Sequence, residues 1–503
     1  MRITNRIIQN NSLTNINNNK ILQDNLSTQL ATEKKISRPS EDPIIALRSL
    51  RLRTSVNQTE QYREKNAEDA ESWLKVTEDS INTLSEIITD IRKQYVKGAS
   101  DTLTTADRKI ILEDLQSLAA EIYNTGNADF AGRSIFTGYR TSSSLTFQEG
   151  ETTDYTIYEN FTKESLDTIN YVHKDSTNEN NVYREDIARF RLSYDALKSG
   201  ANASLTLTFP ADPGISGITG SMQDLDGDGT DETFVANVTP TTISEKDSPD
   251  PYETIHADAN AIVFVPETGE VLFGSAVAEK INGSETEMTV SYSKDNWNKG
   301  DLRPEHYFKC KDNTKNLEYN FDSAPEAEIC YNIGVNQSIR INTNASECFN
   351  HDISRDITDI INTINDIEMW ETELTKLKAD YNALPENDAG RPGLKVKIDA
   401  MEKTMTFANK KLSDLCSKGI TKAEEYLKRN NLALTNCGTR SKRLELIQNR
   451  LDTQLDTLKE LKSENEDVDM AVTAVKLSSA QVAYDASLMS TSKILNQSLL
   501  NYL

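Results

Sequence analysis

Residues 444–461 read LELIQNRLDTQLDTLKEL, and their apolar residues recur at steps of three and four. The apolar set is Leu444, Ile447, Leu451, Leu455, Leu458 and Leu461. Steps of three and four place these side chains on one narrow face of an α-helix, which is the pattern of a coiled-coil seam. The sequence therefore predicts a long amphipathic helix that packs along a second helix.

Helical periodicity continues from this seam to the end of the chain. The same steps recur further on, in a row made of Val468, Val472, Val475, Val482, Ala486 and Met489. Residues 350–503 are therefore predicted to be helical, with a break in the pattern at a loop rich in Pro and Gly. That loop predicts a helical hairpin near 366–410, to which the sequence assigns no role.

The N-terminal part, residues 1–140, is also predicted to be helical. Its first helix ends before residues 39–43, where either Ser40 or Asp42 is expected to cap a second helix with Pro43 at its first position. Eight of the first 25 residues are Asn. Asn side chains compete for backbone hydrogen bonds, so we expect the first helix to depend on packing for its order.

Between the helical ends lies an acidic segment of different texture, residues 141–349. It contains 8 of the 12 prolines, and alternating stretches at 204–209, 261–265 and 289–292 indicate strands. It carries 36 acidic and 15 basic residues, a net −21 of the whole chain's −24. Like-charged surfaces repel one another, so this segment is expected to face outward while the two ends touch neighbours.

These patterns together predict an α+β fold. Long terminal coiled-coil helices form an N/C-paired helical core, and a β-rich outer domain is inserted between them. We expect three segments: the N-terminal helical part (1–140), the outer domain (141–349) and the C-terminal helical part (350–503). Charge favours the pairing of the ends, since residues 1–50 carry a net +3 and residues 464–503 a net −3.

Charge and hydropathy exclude several classes of partner and location. A net charge of −24 disfavours nucleic acid and anionic membranes as partners. The chain has no run of about 20 apolar residues that would span a membrane. The N-terminus is basic but lacks the apolar stretch of a cleaved signal peptide, which favours either the cytosol or export by a route without such a signal.

The residues that usually carry chemistry do not form a catalytic pattern. The five cysteines include no Cys-x-x-Cys pair, and we expect free thiols used as small buried groups. The four histidines lack metal-site spacing and are expected to face solvent. The sequence contains no Gly-rich phosphate loop and no nucleophile elbow. An enzyme is therefore not expected, and no cofactor is required.

One segment of the middle region resembles a calcium loop. Residues 224–232 read DLDGDGTDE, with oxygen-bearing side chains at alternate positions and Gly229 at the tight turn. The candidate ligands of a structural Ca²⁺ ion are Asp224, Asp226, Asp228, Thr230 and Glu232. Position twelve is Val235, so the bidentate Glu of an EF-hand is missing. The alternative is an acidic hairpin turn, because Asp-Gly pairs are common there.

Three segments resemble the flagellar hook-associated protein 3 family, the hook–filament junction proteins of the flagellin-like superfamily. The first is residues 36–43, ISRPSEDP, and the second is residues 132–139, GRSIFTGY. The third is the tail, which includes the stretches 466–471 (EDVDMA), 481–488 (QVAYDASL) and 498–503 (SLLNYL). The resemblance covers about 1–140 and 425–503, and the middle of the chain matches no family motif.

The resemblance implies a mechanical function outside the cell. Subunits of this family cross the flagellar export channel largely unfolded and without a cleaved signal peptide, and their terminal helices then pack as coiled coils around that channel. The partners implied are further copies of the chain in a homo-oligomeric ring, the preceding hook-associated protein, flagellin and an export chaperone. The hairpin near 366–410 departs from the family pattern.

Two other functions remain open from the sequence. Flagellin shares the terminal helices, although its equivalent of residues 36–43 usually lacks both prolines. A cytosolic coiled-coil scaffold would share the heptads but would not need its first and last helices to pair around an outward β domain. A calcium-dependent secreted enzyme would need a catalytic cluster in 141–349, and none is found there.

Overall fold

The computed structural model describes residues 5–100, 103–174, 179–198, 205–210, 220–223, 233–247, 249–283, 287–321, 328–386 and 388–495. The helices are α1 (Asn5–Thr32), α2 (Pro43–Glu60), α3 (Glu68–Gly98), α4 (Thr105–Gly126), α5 (Pro251–Ala257), α6 (Ser275–Gly283), α7 (Ala345–Cys348), α8 (His351–Ala383), α9 (Arg391–Glu466) and α10 (Met470–Leu495). A π-helical segment, Gln61–Ala67, lies between α2 and α3.

All strands among the described residues lie between α4 and α7. They are β1 (Asp129–Phe130), β2 (Arg133–Ser134), β3 (Tyr155–Phe161), β4 (Asp167–His173), β5 (Tyr183–Arg191), β6 (Leu205–Phe209), β7 (Ser221–Gln223), β8 (Thr233–Val238), β9 (Thr241–Thr242), β10 (Ile262–Val265), β11 (Glu270–Phe273), β12 (Met288–Lys294), β13 (Lys309–Asp312), β14 (Leu317–Tyr319), β15 (Cys330–Gly334) and β16 (Gln337–Arg340). The predicted α+β class, with long terminal helices around a β-rich region, is confirmed.

The strands form two main sheets. The larger has the order β14-β13-β3-β12-β6-β8-β7, and the smaller has the order β4-β5-β11-β10-β9. Neighbouring strands are antiparallel except for β9 and β10, which pair in parallel. One apolar core contains side chains from both sheets, and a second core lies against α5 on the other face of the smaller sheet. The strands predicted at 204–209, 261–265 and 289–292 correspond to β6, β10 and β12.

The chain divides into two compact units. The first comprises the described residues of Met1–Glu71, Tyr331–Ile339 and Lys442–Leu503, and the second comprises those of Ser72–Cys330 and Arg340–Ser441. Two of the boundaries between these units fall inside continuous helices, one within α3 and the other within α9. The three-segment division at 140 and 350 stays a prediction about domains.

Two helical segments have features that periodicity did not indicate. The helix α9 runs for 76 residues and continues through Gly438. A single Gly costs a helix only about 1 kcal/mol, which the neighbouring turns offset. The helical stretch that begins at Pro43 contains π-helical turns at 61–67, which separate α2 from α3. The hairpin predicted near 366–410 corresponds to α8, a short loop and the start of α9.

Candidate assembly surface

The first and last helices of the chain pack against each other in the first unit. On α10 the buried or half-buried positions follow a heptad, and they are Thr473, Leu477, Ala480, Tyr484, Ser487 and Thr491. On α1 the corresponding positions are Ile8, Ser12, Ile16, Asn19, Gln23, Leu26 and Leu30. Much of this contact is made of small or polar side chains. Only Leu26, Thr473, Ala480 and Thr491 among these side chains are buried, so the contact buries little apolar area for two helices of this length.

The apolar row of α10 faces solvent instead. The row predicted from the sequence includes Val472, Val475, Val482 and Met489, and all four are exposed. Val475 is 68% exposed and Val482 is 66% exposed. A coiled-coil seam requires a second helix, and the described part of the chain supplies none on this side of α10. This exposed row has the spacing for a partner helix from another molecule.

Exposed apolar side chains are concentrated in α1, α2 and α10. Of the 24 large exposed apolar residues among the described positions, 13 lie in these three helices. They are Ile7, Leu13, Ile21, Leu22, Ile44, Leu47, Leu50, Met470, Val472, Val475, Val482, Leu488 and Met489. A concentration of exposed apolar side chains is typical of interaction sites in soluble proteins. We call this set the assembly surface.

A clamp joins the two turns that lead into the terminal helices. Backbone hydrogen bonds run from Lys35 N to the Glu466 carbonyl (2.7 Å) and from Val468 N to the Glu33 carbonyl (3.0 Å). Glu33 adopts a left-handed φ of 60°, which is uncommon for a residue with a side chain. The turn after α1 is thus fixed to the turn before α10 by the backbone itself.

The Glu466 carboxylate is the centre of this clamp. It accepts two hydrogen bonds from the Arg53 guanidinium, each 2.7 Å long, and a third of 2.5 Å from the Ser49 hydroxyl. The Lys34 ammonium lies 3.6 Å away and also pairs with Asp467. The hydrogen bonds from Arg53 outweigh the effect of burial and lower the pKa of Glu466 to about 2. The bidentate geometry fixes α2 against the end of α9.

The connection between α1 and α2 is closed internally. Asp42 caps α2 by accepting hydrogen bonds from Ile44 N (2.9 Å) and Ile45 N (3.1 Å), with Pro43 at the first helical position. The Glu41 carboxylate accepts from both the backbone N–H and the hydroxyl of Ser37, each at 2.8 Å. The sequence left Ser40 and Asp42 as alternative caps, and the structure selects Asp42.

The seam at 444–461 is buried as the sequence predicts. Leu444, Leu451 and Leu455 have less than a tenth of their surface exposed. The same stretch of α9 runs antiparallel to α2 and the π-helical segment, with Arg63 Nε bonded to Asp452 at 2.7 Å and Lys459 paired with Glu60 at 3.0 Å. This packing places the clamp at one end of a firmly held pair of helices.

In the second unit, buried charges join the smaller sheet to the long helices. Arg189 on β5 pairs with Glu270 on β11 and, at 2.6 Å, with Asp359 on α8. Arg191 pairs with Asp356 at 2.6 Å, which also accepts a hydrogen bond from Lys422 on α9 at 2.8 Å. Burial alone would raise the pKa of Asp359, but the two arginines hold it well below its ordinary value. These paired charges fix the outer strands to the helices.

The candidate calcium ligands lie outside the described residues. Asp224, Asp226, Asp228, Thr230 and Glu232 all fall in 224–232, so calcium binding stays a prediction. Among the residues that the structure describes, no group of three or more His, Cys, Asp or Glu side chains is arranged to hold a metal ion.

The expectation for the histidines is wrong for two of the four. His306 and His351 are buried, and burial lowers the pKa of each to about 3. His351 Nε2 lies 3.0 Å from the hydroxyl of Tyr194, which donates its own proton to the Leu302 carbonyl. His351 therefore donates from Nε2. A histidine in a short polar stretch gives no periodic pattern, so the sequence offered no sign of this burial.

The expectation for the cysteines agrees with the structure at four positions. Cys310, Cys348, Cys416 and Cys437 are buried free thiols, and Cys330 is exposed.

The clamp between Arg53 and Glu466, in contrast, was missed by sequence reasoning. Arg53 and Glu466 are 413 residues apart, and no local spacing in the sequence indicates that they pair.

Both terminal regions of the chain match models of one family. Residues 3–141 match the bacterial flagellin N-terminal helical region, and residues 420–503 match the bacterial flagellin C-terminal helical region. The two terminal regions of the chain belong to the flagellin-like family. The matched ends of this flagellin-like chain contain all three helices of the assembly surface and both turns of the clamp.

Curated relatives of this flagellin-like chain include two kinds of flagellar protein. Flagellar hook-associated protein 3 of Salmonella typhimurium is 28% identical over 144 residues, which is 28% of this chain and 45% of the relative. A flagellin of Clostridium tyrobutyricum is 28% identical over 127 residues, or 25% of this chain and 33% of the relative. The chain thus spans less than half the length of the relatives that it matches.

A solved structure with some likeness is flagellar hook-associated protein 3 of Legionella pneumophila. Its TM-score is 0.30 and its sequence identity is 11%. The alignment covers 82% of this chain and 97% of that one. A likeness at this TM-score adds nothing to the family assignment.

None of the helices in the described part of the chain is both long and apolar enough to cross a membrane.

Proposed function

We propose that this chain is an extracellular structural subunit of the bacterial flagellum. It joins the hook to the filament through coiled-coil packing of its terminal helices. The observation that carries the proposal is the apolar row of α10, which is exposed while a row of mostly small and polar side chains on the same helix packs against α1. A helix with this arrangement completes its packing only in an assembly.

The proposed partners follow from this role. They are further copies of the chain in a ring, the preceding hook-associated protein on one side, flagellin on the other, and an export chaperone before assembly. The flagellum is the proposed location. The chain is proposed to act mechanically, with no catalytic activity, no required cofactor, and no nucleic acid or membrane partner.

The connection between α1 and α2 favours a junction subunit over flagellin. Pro39 and Pro43 restrict the backbone on either side of a turn that Glu41 and Asp42 close by hydrogen bonds. A filament must change between supercoil states, which requires compliant connections. A junction holds two different lattices together, and a stiff connection suits it. Because the chain is also similar to a flagellin, the second candidate function is that of the main filament subunit.

Deletion of the gene separates the two candidates. The junction subunit predicts cells with hooks that release flagellin into the medium and carry no filament. The purified chain should also fail to form long filaments on seeds, under conditions in which flagellin polymerises. Attached filaments in the deletion strain, together with loss of a major filament subunit, would identify the chain as a flagellin.

A further inference from the structure

A lysine is completely buried in the core of the second unit. Lys294 is the last residue of β12, and 0% of its surface is exposed. Its side chain lies on the same face of the strand as Met288, Val290 and Tyr292, which belong to the apolar core that the two sheets share. Lysine is almost never fully buried unless its charge is paired, so the surroundings of this side chain decide its chemistry.

Aromatic rings form one side of these surroundings. The Nζ atom of Lys294 lies 5.3 Å from the ring centroid of Trp297. The Trp297 ring stacks on Phe147 with 4.1 Å between the centroids, and it contacts the rings of Tyr155 and Tyr194 edge to face. All four aromatic side chains are buried. The amino group of Lys294 therefore lies where a charge is stabilised far less than in water.

The carboxylate of Asp301 lies beside this amino group. Its Oδ2 atom is 3.8 Å from Lys294 Nζ, and it accepts a hydrogen bond of 2.9 Å from the backbone N–H of Asn298. Lys294 Nζ also donates a hydrogen bond to the carbonyl oxygen of Asp195. The amino and carboxyl groups are thus held next to each other without a direct hydrogen bond between them.

Burial shifts both groups towards their neutral forms. It lowers the pKa of Lys294, and the charge of Asp301 offsets this effect only in part. Burial likewise raises the pKa of Asp301, and Lys294 offsets this only in part. Transfer of one proton from the ammonium to the carboxylate is therefore easier here than in water. The transfer leaves a free amine next to a carboxylic acid, and these are the two reactants of amide formation.

We propose that Lys294 and Asp301 condense to form an isopeptide bond. After the proton transfer, the Lys294 amine attacks Asp301 Cγ, so that an N–C bond forms and the bond from Cγ to the hydroxyl breaks. The hydroxyl leaves with a second proton from the amine as water. The ion pair thus becomes one neutral amide and one water molecule, and no oxidant or further reactant takes part. Burial favours this product, because an amide costs less to bury than two charges.

A small cavity beside the pair can hold the water that the reaction releases. Its volume is about 40 Å³, and Asp195, Asp301 and Arg355 are among the residues that line it. This volume is sufficient for one or two water molecules, and the polar lining supplies their hydrogen bonds. Water at this place can also carry the second proton from the amine to the leaving hydroxyl.

The bond would close the turn that follows β12. Residues 294–301 include Trp297, and the carbonyl oxygen of Asp301 accepts a hydrogen bond of 2.8 Å from the backbone N–H of Phe147. A covalent bridge across this turn would hold Trp297 in its place among the aromatic rings. The inference goes beyond the proposed function and does not depend on it, since it requires only the folded chain.

Peptide mapping of the purified full chain by mass spectrometry tests the bond. Trypsin does not cleave after a lysine whose amino group is acylated, but it still cleaves after Lys299. The bond therefore predicts one species in which residues 281–299 are joined to residues 300–309, with a mass about 18 Da below the sum of the two peptides. Release of residues 281–294 as a separate peptide from all of the protein would overturn the inference.

Two variants assign the bond to its residues. An aspartate can also lose water by closing on its own backbone, but that reaction leaves the chain cleavable after Lys294. Asp301→Ala should abolish the joined species and restore this cleavage. Asp295→Ala, which removes an exposed carboxylate next to Lys294, is the matched control and should retain the joined species. Its persistence in Asp301→Ala, or its loss in Asp295→Ala, would overturn the assignment. The joined species is sought in the parent chain, so a variant that fails to fold does not affect the main result.

Discussion

At the scale of single residues, the Glu466 carboxylate holds the two turns that lead into α1 and α10. We expect Glu466→Gln to weaken this clamp by about 1–2 kcal/mol, because hydrogen bonds to charged groups are worth this much and Arg53 is partly exposed. Hydrogen exchange should show faster exchange of the Lys35 and Val468 amides. Glu460→Gln, at an exposed position of the same helix, should leave both amides unchanged.

The clamp should also depend on pH in a definite direction. The folded pKa of Glu466 is about 2 and its ordinary value is 4.5, so its stabilisation is complete above pH 4.5 and is lost as the pH falls towards 2. The difference in amide exchange between the parent chain and Glu466→Gln should therefore shrink over that window. An unchanged difference at pH 2.5 would show that the carboxylate charge is not what holds the turns.

A second residue-scale prediction concerns His351, whose buried ring has a pKa of about 3 against an ordinary 6.5. Because the folded state disfavours the charged ring, stability falls as the pH drops below 6.5, by about 2 kcal/mol at pH 5. Replacing His351 with Gln removes the titrating group. Thermal melts at pH 7 and pH 5 should show a smaller decrease in Tm for His351→Gln than for the parent. Equal decreases would contradict the prediction.

At the scale of elements, α10 presents one face to α1 and an apolar row to solvent. Val482→Asp should leave the folded monomer intact, since Val482 is already exposed, but it should prevent a partner helix from packing there. We expect at least a tenfold loss of attached filaments, counted by electron microscopy. Gln481→Asp is the matched control, because it adds the same charge one residue away, outside the row. Equal effects of both changes would indicate a general effect of charge.

At the scale of the whole molecule, the two ends should be less stable than the rest. The contact between α1 and α10 relies on small and polar side chains, whereas α9 buries a leucine seam. Hydrogen exchange of the purified monomer should therefore be fast throughout 5–32 and 470–495 and slow at 444–461. In isolated flagella the terminal helices should become protected. Strong protection of α1 and α10 in a verified monomer would contradict folding on assembly.

The sequence alone determined the terminal helices, three of the strands and the resemblance to the family. The periodicity of 444–461 predicted a buried seam, because a heptad row is a local property of one helix. Pro43 after Asp42 predicted the start of α2 for the same reason. The α+β class followed from helical ends around an alternating, proline-rich middle. Each of these features is encoded within a few turns of chain.

Only the tertiary structure decided which rows are buried and which are free. The row at Val475 and Val482 looks in sequence like another internal seam, yet α10 packs by its polar side and leaves this row exposed. The clamp of Arg53 on Glu466 and the burial of His351 were likewise invisible. Burial and pairing depend on residues hundreds of positions apart, and the pattern of one helix specifies an amphipathic face without specifying what covers it.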